Sequence, residues 1–186
     1  MAENIYAYYD DENYLDDYEP PTEEEKKAEK EKSNKIRTEI KQLKHYLNSA
    51  WYWEKRANRL SDKIQVLRSQ AEKITTSYSD APTFGGFEDH RQAIIAEMVD
   101  LQNECESARK ECTRKFQEIQ FFISLLSDYR ERIVCEYRYL NYYGWLDIAM
   151  ALDYSVQNVT KIHGKALQNL LEEHKKMVTN GGKGLF

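Results

Sequence analysis

The stretch WLDIAMALDYSVQNVTKIHGKALQNLL, from Trp145 to Leu171, has the pattern of a helix, a tight turn and a second helix. Gly144 and Ser155 are suitable N-cap residues for the two helices, and Asp153 tolerates the left-handed backbone conformation that a tight turn needs. In both segments apolar residues recur at intervals of three and four, which predicts one inward face on each helix. The predicted inward residues are Ile148, Ala149 and Leu152 in the first helix, and Val159, Ile162, Ala166 and Leu170 in the second.

The outward side of the second helix carries amide, hydroxyl and lysine side chains and no acidic residue. A helix of this kind fits the major groove of DNA, where amides read adenine edges and lysines reach guanine or phosphate. A glycine on this side would let the backbone approach a phosphate closely. The pattern therefore favours a DNA-binding helix-turn-helix over its alternative, the solvated face of an ordinary small helical domain. This outward ridge consists of Gln157, Asn158, Thr160, Lys161, Gly164, Lys165 and Gln168.

Residues 23–126 are predicted to form a long antiparallel helical hairpin of the coiled-coil type. Apolar residues alternate in steps of three and four from Ile36 to Tyr78, and again from Ile94 to Leu126. Between these stripes a proline and paired glycines cannot continue a helix, so the chain should reverse near residues 79–88. A homodimer formed through the same apolar stripes is the alternative to the intramolecular hairpin.

A third helix from about Tyr129 to Leu140 would complete a three-helix domain over residues 127–178. We expect the inner face of this helix to consist of Tyr129, Ile133, Tyr137 and Leu140. The outward residues would be Arg130, Arg132 and Arg138, with Glu131 and Glu136 among them. The predicted fold is therefore all-α, a helical hairpin followed by a three-helix helix-turn-helix domain. Residues 179–186 are expected to form a flexible tail.

Residues 1–22 are acidic and rich in tyrosine, and they lack a regular apolar face, which predicts a disordered tail. The tail is either a solvated appendage or a docking peptide. Residues 1–21 contain seven acidic residues and no lysine or arginine, so the rest of the chain has a formal charge of +2, although the total is −5. Such a mild positive charge means that DNA binding must depend on the helix pair and not on bulk charge.

The sequence gives no indication of an enzyme. Its four histidines are scattered, no glycine-rich phosphate loop occurs, and neither a cofactor nor a metal site is indicated. Cys105 and Cys112 lie one heptad apart on a predicted helix, which favours buried thiols over metal or redox chemistry. No apolar run approaches the roughly 20 residues that span a bilayer, and the N-terminus lacks the features of a signal peptide, so we expect a cytoplasmic protein.

Residues 138–170, RYLNYYGWLDIAMALDYSVQNVTKIHGKALQNL, resemble the helix-turn-helix of sigma-factor region four. They are more similar still to phage regulators of the ArpU and RinA kind. The likeness extends over about Ile36 to Leu171 and is specific in its C-terminal third. It implies a transcriptional regulator of phages and prophages in Gram-positive bacteria, commonly an activator of late or packaging genes. This chain departs from the family pattern at Asp153, where glycine is usual, and at Leu146, where a polar residue is usual.

The resemblance also implies which residues contact double-stranded DNA. Two further functions remain open: binding to the RNA polymerase core with DNA contact secondary, and a DNA-packaging role like that of a small terminase subunit. Carried over by position, the residues that enter the groove would be Ser155, Gln157, Asn158, Thr160 and Lys161, and those beside the DNA backbone would be His163 and Lys165.

Overall fold

The computed structural model describes residues 22–77, 86–181 and 184, and these residues form six α-helices and no β-strand. The predicted all-α fold is confirmed, with a long helical hairpin before three helices in helix-turn-helix order. The expectations for residues 1–21, for the reversal over residues 78–85 and for most of the C-terminal tail lie outside the described residues. The helices are α1 (Glu23–Leu47), α2 (Ser49–Ser77), α3 (Gly86–Ser124), α4 (Tyr129–Tyr139), α5 (Trp145–Leu152) and α6 (Val156–Thr179).

The chain divides into two units, Met1–Thr38 and Glu39–Phe186. In the first unit, the described residues are the exposed start of α1 and the residue before it. The backbone amide of Thr22 donates to Glu25 Oε2 over 2.8 Å, and the amide of Glu25 donates to Thr22 Oγ1 over 3.3 Å. This reciprocal capping box satisfies two amides that the first turn of a helix leaves without a carbonyl partner.

In the second unit, α2 and α3 run antiparallel and contact each other through small residues. The thiol of Cys105 lies 3.5 Å from the carbonyl oxygen of Ala57, and the thiol of Cys112 lies 3.5 Å from that of Ala50. Later residues of α3 thus meet earlier residues of α2, as an antiparallel pair requires. Cys105 is buried, as the heptad spacing predicts, whereas Cys112 is only half-buried; both are free thiols.

The first helical arm of the predicted hairpin is interrupted at Asn48. The side-chain Nδ2 of Asn48 donates to the carbonyl oxygen of Lys44 over 2.7 Å, and its backbone amide donates to the same oxygen over 3.1 Å. An asparagine side chain that competes for a backbone carbonyl is a common cause of a local irregularity in a helix. The break lies just before the place where the apolar stripe is irregular, since the step from Ala50 to Trp53 is a step of three that follows another step of three.

The main core of this unit joins the end of α1 and the end of α3 to α4 and α6. Burial of a large apolar side chain stabilises a fold by about 1.5–3 kcal/mol, so this core holds the middle of α6 firmly on the base of the hairpin. Its buried residues include Leu43, Leu47, Ile119, Phe122, Ile123, Leu126, Cys135, Tyr139, Ala166, Leu167, Leu170 and Leu171.

The inward face predicted for α4 is wrong in part. Tyr129 is 68% exposed, whereas Val134, Cys135 and Tyr139 are buried. Glu131, expected on the outside, is only 2% exposed. The helix is thus rotated relative to the prediction. The prediction failed because a buried glutamate that finds partners on another helix cannot be recognised from apolar spacing alone.

Candidate nucleic-acid interface

The corner between α5 and α6 has the geometry that its sequence predicts. Asp153 adopts the left-handed conformation with φ 54° and ψ 45°, and the backbone amide of Tyr154 donates to the carbonyl oxygen of Ala149 over 2.9 Å. Ser155 Oγ accepts from the amide of Asn158 over 3.2 Å and so caps α6. The chain therefore turns sharply after α5 and starts α6 in a defined direction.

The start of α5 is capped as well. The amide of Gly144, the predicted N-cap, donates to Asp147 Oδ2 over 3.1 Å. A small core beneath the corner then fixes the angle between the helices. It contains Val134 of α4, Ile148 and Ala149 of α5, and Val159 of α6, with Leu152 and Ile162 partly buried against it.

All seven residues of the ridge are exposed to solvent. The first turns of α6 thus present Gln157, Asn158 and Lys161 outward while Val159 points into the core. No heavy atom outside its own helix turn lies within 4 Å of the position where Gly164 would carry a Cβ. Gly164 is therefore not required for packing within the described part of the chain.

Both hydroxyls expected to contact DNA are also hydrogen-bonded within α6 itself. Ser155 is the N-cap, and Thr160 Oγ1 lies 3.0 Å from the carbonyl oxygens of both Val156 and Gln157. Each oxygen keeps a lone pair, and Ser155 also keeps its hydroxyl proton for an outside partner. Among the described residues that were expected to contact DNA, Gln157, Asn158 and Lys161 are exposed and make no such side-chain hydrogen bond within α6.

The two ridge lysines differ in their surroundings. Lys165 Nζ lies 3.2 Å from Oε1 of the buried Glu131, and the other carboxylate oxygen accepts from Asn169 Nδ2 over 2.6 Å. The lysine contact is an ion pair without the geometry of a hydrogen bond. Lys161 has no such ion pair among the described residues. The positive charge of Lys165 is therefore partly compensated within the protein, and that of Lys161 is not.

His163 lies in the core and not on the ridge. Its ring is 6% exposed, its Nε2 is 2.9 Å from the hydroxyl of Tyr139, and its centroid is 4.8 Å from that of Trp145. Burial, together with smaller contributions from the nearby charges of Lys44 and Arg138, lowers the pKa of His163 from 6.5 to about 4. The imidazole is thus neutral at pH 7 and enclosed. His163 is therefore not exposed for the contact with the DNA backbone that the resemblance implies.

A charged residue that sequence reasoning did not connect with the ridge is Lys44 of α1. It lines one surface depression together with Ile40, Trp145 and the ridge residues from Thr160 to Gln168. Lys44 is exposed, as are the lysines of the ridge. Nothing in the local pattern of residues 40–44 marks this neighbourhood, because it arises only when α1 and α6 share the main core.

The described residues contain no group of three or more histidine, cysteine, aspartate or glutamate side chains placed to hold a metal ion. Within the same ranges, none of the helices combines the length and the apolar character that a membrane crossing requires. Comparisons of the chain with protein-family models, curated proteins and solved structures found no match.

Proposed function

We propose that the protein is a transcriptional regulator that binds double-stranded DNA by inserting the first turns of α6 into the major groove. The observation that supports this proposal most directly is the ridge itself. It is exposed over its whole length and carries amides and lysines without an acidic residue, on a helix whose opposite side is fixed by two cores.

Each ridge residue has a role that follows from its chemistry. The side-chain amides of Gln157 and Asn158 can donate to and accept from an adenine edge in a bidentate manner. Lys161, which has no ion pair in the described structure, is available for a guanine or a phosphate. Lys165 would give up part of its contact with Glu131 to reach a phosphate, so we assign it a weaker role.

The wider biological setting rests on the likeness to phage regulators of the ArpU and RinA kind. By that likeness, the protein acts in the cytoplasm of a bacterial host on a phage or prophage promoter, as an activator of late or packaging genes. Because a mild charge gives only modest non-specific affinity, we expect a dimer or a contact with RNA polymerase to strengthen binding at the promoter.

The test is selection of bound sequences from a pool of random duplexes with the full-length protein. We expect one motif to be enriched, and we expect the triple variant Gln157→Ala, Asn158→Ala and Lys161→Ala to enrich none. The matched control is Gln102→Ala, which removes an exposed amide from α3. If the wild-type protein enriches no motif, or if the triple variant enriches the same one, the proposal is refuted.

A second candidate function, binding to the RNA polymerase core, is favoured by the outer face of α5. Leu146 and Met150 lie one turn apart on that face and are 63% and 74% exposed. Exposed large apolar residues next to each other are typical of protein contacts. Retention of polymerase core on the immobilised protein without DNA, and its loss in the double variant Leu146→Ser and Met150→Ser, would favour this function over direct promoter recognition.

A further inference from the structure

Two basic side chains outside α6 lie near the ridge. Lys44 borders it directly, whereas Arg138 stacks on Trp145, which lines the same depression as Lys44, and itself lines a separate depression. Lys44 comes from the last turn of α1 and shares a surface depression with Thr160, Lys161 and Gly164. Arg138 comes from the last turn of α4. They are brought to α6 by the main core, in which the ends of α1 and α4 pack against the middle of α6.

Arg138 is held in place before any partner binds. Its guanidinium carbon lies 4.6 Å from the ring centroid of Trp145, and its Nη1 donates to the carbonyl oxygen of Tyr143 over 2.8 Å. Stacking of this kind stabilises a cation while leaving its other N–H groups free to donate. Arg138 is thus pre-organised for an anion, with little side-chain entropy to lose.

No carboxylate neutralises these cations in the described structure. Among the described residues, no ion pair joins Lys44, Arg138 or Lys161 to an acidic side chain, in contrast to the pair between Lys165 and Glu131. The lowered pKa of the buried His163 has burial as its main cause, and the charges of Lys44 and Arg138 as the next two. The geometry agrees with this, since Arg138 stacks on Trp145 and Trp145 lines the same depression as Lys44.

We propose that Lys44 and Arg138 form a second contact, the flank, which binds the phosphate backbone of the duplex beside the groove that α6 enters. This inference rests on the proposed function and adds the phosphate contacts that position α6. Phosphate contacts fix the register and orientation of a protein on DNA and carry no sequence information themselves. The flank would thus supply part of the electrostatic affinity that the net charge of the chain, −5, does not.

A purely structural role is the competing explanation, because Lys44 and Arg138 both lie at helix C-termini, where a cation interacts favourably with the helix dipole. That role predicts a small loss of stability on removal of either charge and no change in DNA binding. The flank predicts a loss of affinity that is equal for all sequences and a weaker dependence of affinity on salt.

The experiment measures the affinity of the full-length protein for a mixed-sequence duplex of about 30 base pairs, by fluorescence anisotropy between about 50 and 200 mM KCl. The variants are Lys44→Gln, Arg138→Gln and both together. The matched control is Lys63→Gln, an exposed lysine of α2 whose nearest acidic group, on Glu97, is 3.9 Å away. Thermal unfolding of each variant, followed by circular dichroism, separates a change in binding from a loss of folded protein.

We expect Lys44→Gln to reduce the slope of log affinity against log salt by about 0.9, and the double variant to reduce it by about twice that. Each lost contact then makes the fall in affinity between the two salt concentrations about threefold smaller, with Lys63→Gln matching the wild type. If the wild type binds and Lys44→Gln behaves like Lys63→Gln, the flank is refuted while the proposed function stands. If the wild type binds no duplex at the lowest salt, both fail together.

Discussion

The ammonium group of Lys165 on the ridge lies 3.2 Å from Oε1 of Glu131, a carboxylate that is only 2% exposed. The second oxygen of the same carboxylate accepts a hydrogen bond from Asn169. One residue of the candidate interface is thus connected directly to the interior of the helix-turn-helix domain. On the proposed function, stability and DNA binding would therefore be coupled at Lys165 and separate at Lys161, one turn earlier.

This coupling predicts different stabilities for two alanine variants. Lys165→Ala leaves a buried carboxylate without its counter-charge, so we expect the free energy of unfolding to fall by about 1–2 kcal/mol, less than for a fully buried pair because Lys165 is itself largely exposed. Lys161→Ala should change it by no more than about 0.5 kcal/mol. Urea denaturation of the two variants beside the wild type measures both values.

A double-mutant cycle identifies the cause. In Glu131→Gln the buried charge is absent, so adding Lys165→Ala to it should have almost no further effect on the free energy of unfolding. An equal loss with and without the glutamate would show that Lys165 stabilises the fold through its aliphatic chain and not through the ion pair.

The ridge predicts that some substitutions change the sequence specificity of DNA binding, whereas others change the affinity for all duplexes. Gln157→Ala or Asn158→Ala should reduce discrimination at one base pair by about 1–3 kcal/mol, because a bidentate amide contact to a base is lost. Lys161→Ala should weaken binding to all duplexes about equally if it reaches a phosphate. Competition binding with the selected motif and its single-base-pair variants distinguishes the two patterns, and uniform weakening by Gln157→Ala and by Asn158→Ala would contradict the assignment of these residues as readers.

Local chemistry was sufficient to predict the corner of the helix-turn-helix. The left-handed Asp153, the caps at Gly144 and Ser155 and the inward Val159 all depend on residues within one or two helical turns of one another. The exposure of the ridge follows from the same periodicity. These features are readable from sequence because a short segment contains every group that determines them.

Contacts between distant segments were not predictable in the same way. His163, expected beside the DNA backbone, is enclosed by Tyr139 and Trp145, and the outward position expected for Glu131 is replaced by a buried one with partners on α6. A polar residue on a helix appears outward by its chemistry until a partner from another helix satisfies it. Lys44 illustrates the same limit, since it comes near the ridge only through the shared core.

The buried pair of His163 and Tyr139 predicts a characteristic dependence of stability on pH. The pKa of His163 is about 4 in the folded protein and 6.5 as its ordinary value. Between these values the unfolded chain binds more protons than the folded one, so stability is full above about pH 6.5 and is lost as the pH falls toward 4. The loss assignable to this group is about 3 kcal/mol, and it appears in urea denaturation measured at a series of pH values.

The variant His163→Gln keeps a hydrogen-bonding group for the Tyr139 hydroxyl but removes the titrating ring. We expect this variant to be less stable than the wild type at pH 7 and to lose less stability between pH 6.5 and 4. The difference between the two pH profiles separates the contribution of His163 from that of carboxylates, which titrate in the same pH range. The exposed His90 provides the matched control, His90→Gln, whose pH profile should follow the wild type. Parallel profiles for wild type and His163→Gln would mean that the buried ring does not resist protonation.

We expect a methyl group added at Gly164 to raise the stability of the protein and to lower its affinity for DNA. Gly164→Ala should raise the free energy of unfolding by about 0.5–1 kcal/mol, because alanine has the higher helix propensity and its Cβ would meet no atom within 4 Å. If the backbone of α6 approaches a phosphate at this position, the same methyl group should hold the DNA away and weaken binding to every duplex. Thermal unfolding and anisotropy titrations on one preparation measure both effects, with Gln102→Ala on α3 as a surface variant that should leave DNA affinity unchanged. A variant that is more stable and binds with unchanged affinity would show that the duplex does not come close to α6 at Gly164.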